Sequence, residues 1–245
     1  MSNHWTRATF FSFDLEATEA DPLAAHCVSA SLVKFVGGVP ADRRTWLIHP
    51  AVPITEGAIE IHGITNEHAA EHGADPKEAL EEILTMLAQV LNAGLPLVIY
   101  NAAYDLTVME LQARYHGLKG LLERVRADRW TSVIDGFVLA QGAETYRTAE
   151  GRWGKGYRLP EVCGRYGVPF VESHEATADA VGAGLLAIAL TESYDFIASA
   201  GPQRLTELQR DWRVRLQSDL AAYFDRKKIE HQVDLGWPLH STLIA

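Results

Sequence analysis

The chain has 245 residues, 47% hydrophobic and 22% charged, which suits one ordinary globular domain with an appendage. Its 32 acids against 22 Lys and Arg leave a formal charge of −10, which excludes a protein that grips long nucleic acid by charge alone. The longest apolar run, Ala180 to Leu190, is well short of the roughly 18 residues of a membrane span.

In chain order, Met1–Arg7 lacks the basic start and apolar run of a secretory signal. Thr9 to Leu15 reads as a buried strand. Val28 to Val36 and Arg44 to Ile48 read as two more, joined by the turn Gly37-Gly38-Val39-Pro40. Glu56 to Ile61 and Asn66 to Ala70 are short helices around Gly63. Pro76 to Leu91 is a stronger one, capped by Asp75, with Leu80, Ile83, Leu84, Leu87, Val90 and Leu91 on one face. Leu95 to Tyr100 reads as a buried parallel strand, and Asn101 as the cap of a helix carrying Leu106, Met109 and Tyr115. Trp130 to Ile134 is a short strand ending at Asp135, Gln141 to Gly156 a loop, and Leu159 to Tyr166 and Ala176 to Leu190 are helices. An antiparallel start followed by strands alternating with helices predicts a mixed α/β layer fold. Cys27 and Cys163 lie far apart in apolar contexts, which predicts reduced thiols and a cytoplasmic setting.

The domain boundary falls at Ala198 to Pro202, giving a domain over 1–197 and an extension over 198–245. In the extension, Leu205, Leu208, Trp212, Leu216, Leu220, Tyr223 and Phe224 recur at helical spacing over about six turns. From Gln203 to Lys228 there are seven Arg or Lys against four Asp or Glu. Arg210, Arg213, Arg215, Arg226, Lys227 and Lys228 are therefore candidates for a local basic surface.

Four acids and a histidine carry the chemistry. Asp14 and Glu16 are two apart on a strand, so they share a face and can hold one cation between them. A solvated strand end would explain the same pair. Asp105 stands in the first turn of a helix, where it either answers the helix dipole or faces the first pair from beyond the strand ends. His174 and Asp179 are five apart, placing the imidazole in a loop and the carboxylate on the helix that follows. A mobile imidazole with an ordinary pKa near 6.5 is suited to taking a proton from water.

In this order, Asp14-Leu15-Glu16-Ala17-Thr18, Asn101-Ala102-Ala103-Tyr104-Asp105 and His174 to Asp179 resemble the three motifs of the DEDD-type 3′–5′ exonucleases. These belong to the RNase H-like superfamily, and the subgroup resembled is the one whose third motif is H-x4-D (DEDDh). Ile61-His62-Gly63-Ile64-Thr65, the strand end Ile134-Asp135 and the helix Leu159 to Val168 add to the match, which spans about residues 8–192. The resemblance is strongest to the epsilon-like proofreading subunits of bacterial DNA polymerase III. It implies an RNase H-like exonuclease fold: a mixed five-stranded sheet flanked by helices, here with a C-terminal helical extension.

The resemblance also assigns roles. Asp14, Glu16, Asp105 and Asp179 would hold two divalent ions, Mg²⁺ or Mn²⁺, and His174 would be the general base. Leu15, Thr18, His62 and Tyr104 would bind the terminal nucleotide. The implied activity is hydrolysis of DNA from a single-stranded 3′ end to nucleoside 5′-monophosphates, in proofreading or repair. The alternatives are trimming of RNA on the same site and a non-catalytic interaction module. Ala17, Glu19-Ala20 and Tyr100 depart from the family's commonest residues. Gln232-Val233-Asp234-Leu235-Gly236-Trp237 resembles the short motif that docks replication proteins on a sliding clamp, so the extension is read as a polymerase or clamp contact; the other reading is a tail returning to the core.

Overall fold

Alternation along Thr9–Ala17 (β1) sends Phe10, Ser12, Asp14 and Glu16 to one face and Phe11, Phe13, Leu15 and Ala17 to the other. In the computed structural model, which describes residues 4–144, 156–170 and 176–244, β1 pairs antiparallel with Cys27–Val36 (β2), which pairs antiparallel with Val39–Leu47 (β3). On its other side β1 runs parallel to Leu97–Ile99 (β4), and β4 parallel to Val133–Asp135 (β5). The order β3-β2-β1-β4-β5 is the expected mixed five-stranded sheet.

Helices cover both faces. After β3 come Glu56–His62 (α1), Asn66–His72 (α2) and Pro76–Asn92 (α3); Ala102–Tyr115 (α4) and Leu121–Arg124 (α5) follow β4. Gly136–Ala143 (α6), Leu159–Arg165 (α7), Ala176–Ser193 (α8), Asp195–Ser199 (α9), Pro202–Lys227 (α10) and Ser241–Ile244 (α11) complete the described chain. The Asp75 side chain accepts from the Glu78 amide and Pro76 occupies the first turn, so α3 starts as expected. Leu80, Ile83, Leu84, Leu87 and Leu91 of α3 are fully buried with Phe13, Leu15, Leu106 and Met109. Each such side chain contributes about 1.5–3 kcal/mol by leaving water.

On the opposite face, Phe10, Val33, Phe35, Val98 and Ile134 pack against Ala180, Ala183, Leu186, Ala187 and Leu190 of α8. The small residues let this helix lie close on the sheet. A Cβ on Gly184 would stand 2.4 Å from the Phe35 ring, which is itself stacked on Phe10. No described helix is long and apolar enough to cross a membrane.

The differences from the sequence reading have local causes. β3 begins at Val39 rather than Arg44, because it is an edge strand whose first seven residues are exposed and so carry a polar composition. β4 is only three residues long, and Trp130 lies in a 3₁₀ turn over Ala127–Ser132 ahead of β5. The apolar α6 starts directly at Asp135 and takes in residues 141–143, which the sequence reads as loop. The rest of that loop, 145–155, lies outside the described residues.

The extension is one long helix followed by a tail, and both pack on the domain. α10 covers the free edge of β5: Thr206 Oγ1 and Gln209 Nε2 each donate to the Val133 carbonyl at 3.2 Å, and Gln209 Oε1 accepts from the Asp135 amide at 2.6 Å. Leu205 and Leu216 are buried, while Leu208, Trp212, Leu220, Tyr223 and Phe224 are half-buried. Arg213 is half-buried and faces Asp135 and Asp234, so it leaves the proposed basic surface. Trp237 and Leu239 are buried in the main core, so the tail returns to the domain and the aromatic of the clamp-like motif is already engaged, with Gln232 and Leu235 left exposed.

Candidate active site

The pairing of β1 sets the first two carboxylates. Asp14 stands opposite Ser31 and Glu16 opposite Ser29, and both face the side of the sheet that α8 covers. Asp179 lies in the first turn of α8, one residue before Ala180, which is buried against that face. Ligand oxygens of Asp14, Glu16 and Asp179 all lie within 4.8 Å of one another. Two strand residues and a helix residue, 163 positions later in sequence at their closest, thus form one acidic cluster.

Asp105 reaches the cluster from the other side. β4 ends at Ile99, opposite Phe13, so the next β1 amide on that edge, Leu15, has no strand partner. The Asp105 carboxylate takes that place and accepts from Leu15 N at 3.2 Å. It is almost wholly buried, as its position on the inner face of α4 requires.

Electrostatics report how costly this gathering is. Burial, then the charges of Asp105, Asp179 and Glu16, hold the Asp14 carboxyl well above the usual carboxylate range. Burial first and Asp179 second push Glu16 up to about 8. Asp105 is also raised, chiefly by burial, against the opposing pull of its backbone hydrogen bonds. Among the described residues, no lysine or arginine is one of the groups that shift these three. A cluster of hard oxygen donors whose charges are mutually unfavourable fits a divalent ion. Asp14, Glu16 and Asp179 could hold one directly. His174 lies outside the described residues.

The expected nucleotide-binding residues gather around the end of β1. Thr18 is buried; its hydroxyl accepts from the His26 amide at 2.9 Å, and its carbonyl accepts from both the amide and the hydroxyl of Thr55. Thr55 is also the N-cap of α1, so this helix hangs from Thr18. Gly63, in the left-handed region at φ 74°, ends α1 and leaves His62 facing β1. His62 Nδ1 accepts from the Ile64 amide, which leaves Nε2 as the donor to the Ala17 carbonyl at 3.3 Å. Tyr104 donates its hydroxyl to the Glu19 carbonyl. Leu15 contributes its amide to Asp105 and its side chain to the core. The polar groups of Thr18, His62 and Tyr104 are thus committed to shaping the Ala17–Glu19 segment. Of these residues, His62 also lines an open cleft of 340 Å³ with Ser29, Thr45, Ile64, His68 and Thr177. The cleft adjoins the acidic cluster, since Ser29 is the partner of Glu16 and Thr177 is two residues before Asp179.

The sequence marks Asp135 only as a strand end, without its role in holding this arrangement together. Asn101 does not cap α4 through its side chain; it sits in the left-handed region at φ 72°. The cap comes from Asp135 instead, whose Oδ1 and Oδ2 accept from the Asn101 and Ala102 amides at 3.0 Å. The only hint in the sequence is an acid ending an apolar strand.

The RNase T family model, described as an exonuclease, matches residues 11–184, more than half of the chain. Among curated proteins, the PolC-type DNA polymerase III of Halalkalibacterium halodurans is 25% identical over 72% of this chain, and that of Lacticaseibacillus paracasei 26% over 75%. This chain spans only 11% of the length of each. Among solved structures, E. coli Exonuclease I in its zinc-bound complex with single-stranded DNA matches with a TM-score of 0.63 at 16% identity, covering 78% of this chain and 42% of that one. Exonuclease I of Methylocaldum szegediense matches at 0.61 and 20% identity, with the same coverage. The likeness of these structures is one of fold; the span matched by the family model, which takes in all four carboxylates, shows that the chain belongs to the RNase T exonuclease family.

Proposed function

We propose that this protein is a metal-dependent 3′–5′ exonuclease that releases nucleoside 5′-monophosphates from single-stranded DNA ends, in proofreading or repair. The observation that carries the reading is the convergence of Asp14, Glu16 and Asp179, with Asp105 behind them, in a matched exonuclease domain. The curated relatives are DNA polymerases and the solved neighbours include complexes with single-stranded DNA, which supports DNA as the substrate. Two buried free cysteines suit a reducing cytoplasm.

Asp14, Glu16 and Asp179 would hold the divalent ions, with Asp105 as the fourth supporting carboxylate. Bound there, the ions would stabilise charge building on the entering and departing oxygens of the phosphodiester. The protein's own part is positional. β1 and α8 hold three carboxylates in place, Asp105 fixes the strand end through Leu15, and His62, Thr18 and Tyr104 shape the segment beside which the 3′ nucleotide would sit. His174 would take the proton from water; the leaving 3′-oxygen would end as the hydroxyl of the shortened strand.

A time course on single-stranded DNA and RNA, labelled at either end, tests the reading. With Mg²⁺, a 3′ label should appear at once as mononucleotide, while a 5′ label should shorten through a ladder. Immediate release of a 5′ mononucleotide would contradict the direction. Faster loss of RNA than of DNA would make RNA the substrate.

A further inference from the structure

The segment from α10 to the tail does more than cover an edge strand, because its contacts converge on the helix that carries Asp105. Asp135 is the meeting point. Its carboxylate accepts from Asn101 and Ala102 at the start of α4, from Phe137 and Val138 at the start of α6, and from the indole Nε1 of Trp237 at 3.2 Å. The Asp135 amide is held in turn by Gln209 of α10. A second contact fastens α4 one turn further on: the His240 amide donates to the buried Thr107 hydroxyl at 2.8 Å. Asp234 keeps the tail in shape by accepting from the Gly236 and Ser241 amides.

Asp105 lies between these two points of attachment, three residues after Ala102 and two before Thr107. Asn101 sits in the left-handed region, which asparagine tolerates better than other residues with a Cβ, and the Asp135 carboxylate holds the Asn101 and Ala102 amides there. The Asp105 to Leu15 hydrogen bond tolerates little displacement at 3.2 Å.

We infer that segment 202–244 is a positioning element of the active site, acting on Asp105 through the Trp237 indole on Asp135 and the His240 amide on Thr107. Trp237, Asp135 and Thr107 are positioning residues and touch neither substrate nor metal. The inference rests on the nuclease reading for its kinetic consequences and on the acidic cluster alone for its metal-binding ones.

The test uses the full chain with Trp237→Phe, which keeps the ring and removes the N–H, and Thr107→Val, which removes the hydroxyl at near-constant shape. Ile197→Val serves as a core variant away from both contacts, in α9. Calorimetric Mn²⁺ titration and steady-state hydrolysis of single-stranded DNA are read for each, with thermal melts to match stability. Partners that orient metal-site ligands are worth about 10–100-fold in affinity or rate. Both positioning variants should therefore lose about tenfold in Mn²⁺ affinity and in kcat, with KM for DNA within about twofold of wild type. Ile197→Val should keep wild-type values. Wild-type Mn²⁺ affinity in both Trp237→Phe and Thr107→Val, or an equal loss in Ile197→Val, overturns the inference. If either positioning variant does not fold, the other carries the comparison. A wild-type protein that binds Mn²⁺ but releases no nucleotide would fail the nuclease reading and leave the Mn²⁺ comparison still decisive for the positioning role.

Discussion

Raising the pH should destabilise the metal-free protein and enlarge its response to a divalent ion. Glu16 is held up to about 8, against an ordinary 4.5, by burial and by the charge of Asp179. Between those values the native state keeps a proton that the unfolded chain has released. Stability therefore falls as pH rises from about 4.5 and levels off above about 8; below 4.5 both states are protonated and the penalty vanishes. At about 1.4 kcal/mol per unit the penalty is at most about 5 kcal/mol, and less where solvent reaches the outer edge of the carboxylate. A divalent ion must displace that proton and then cancels the repulsion. Thermal melts in Mg²⁺ and in EDTA should differ by a few degrees more at about pH 8 than at about pH 5, since about 1 kcal/mol is worth roughly 2–4 °C in a chain of this size. Asp179→Asn removes one of the repelling charges, so in EDTA at about pH 8 it should melt above wild type while losing the Mg²⁺ response. A Mg²⁺ shift that is equal at both pH values, or larger in acid, would refute the reasoning.

Three further predictions concern single residues. Asp135→Asn leaves one oxygen to serve five donors and should cost about 2–4 kcal/mol in denaturant unfolding, an estimate that an unchanged midpoint would sink. Gly184→Ala places a Cβ 2.4 Å from the Phe35 ring, which is pinned by Phe10; a loss of about 1–3 kcal/mol is expected, and a melt matching wild type would show that α8 can shift on the sheet. His174→Ala should lose hydrolysis while keeping Mn²⁺ binding, and the wild-type rate should decline in acid as the imidazole takes up a proton; retained activity in the variant would remove the base.

The parts of the fold legible in the sequence are those where one physical signal dominates. The aromatic and apolar run Thr9 to Leu15 and the apolar face of Pro76 to Leu91 read as the strand and the helix that the structure has, and the D-x-E spacing puts Asp14 and Glu16 on one face, as they are. Asp179 could be assigned to the helix beginning near Ala176, although the spacing suggests its second turn and the structure has it in the first. What stayed hidden depends on groups far apart in the chain. The cap of α4 comes from a carboxylate 34 residues away, and the indole on it from 102 residues away, so no local pattern announces either. Arg213 reads as part of a basic stripe by spacing alone, yet it is the residue of that stripe that faces Asp135 and Asp234. Edge strand β3 was shortened in the reading for the opposite reason: its residues are where they should be, but solvent exposure gives them the composition of a loop.

The acidic cluster is the proposed metal centre of a nuclease. The most direct measurement is the rate of mononucleotide release from single-stranded DNA in Mg²⁺ by wild type and by Asp14→Ala, on samples shown by melting to be folded. The account predicts steady release by wild type, abolished by EDTA, and a loss of more than about a hundredfold in the variant. Comparable rates in the two proteins, or release by wild type that continues in EDTA, would contradict it.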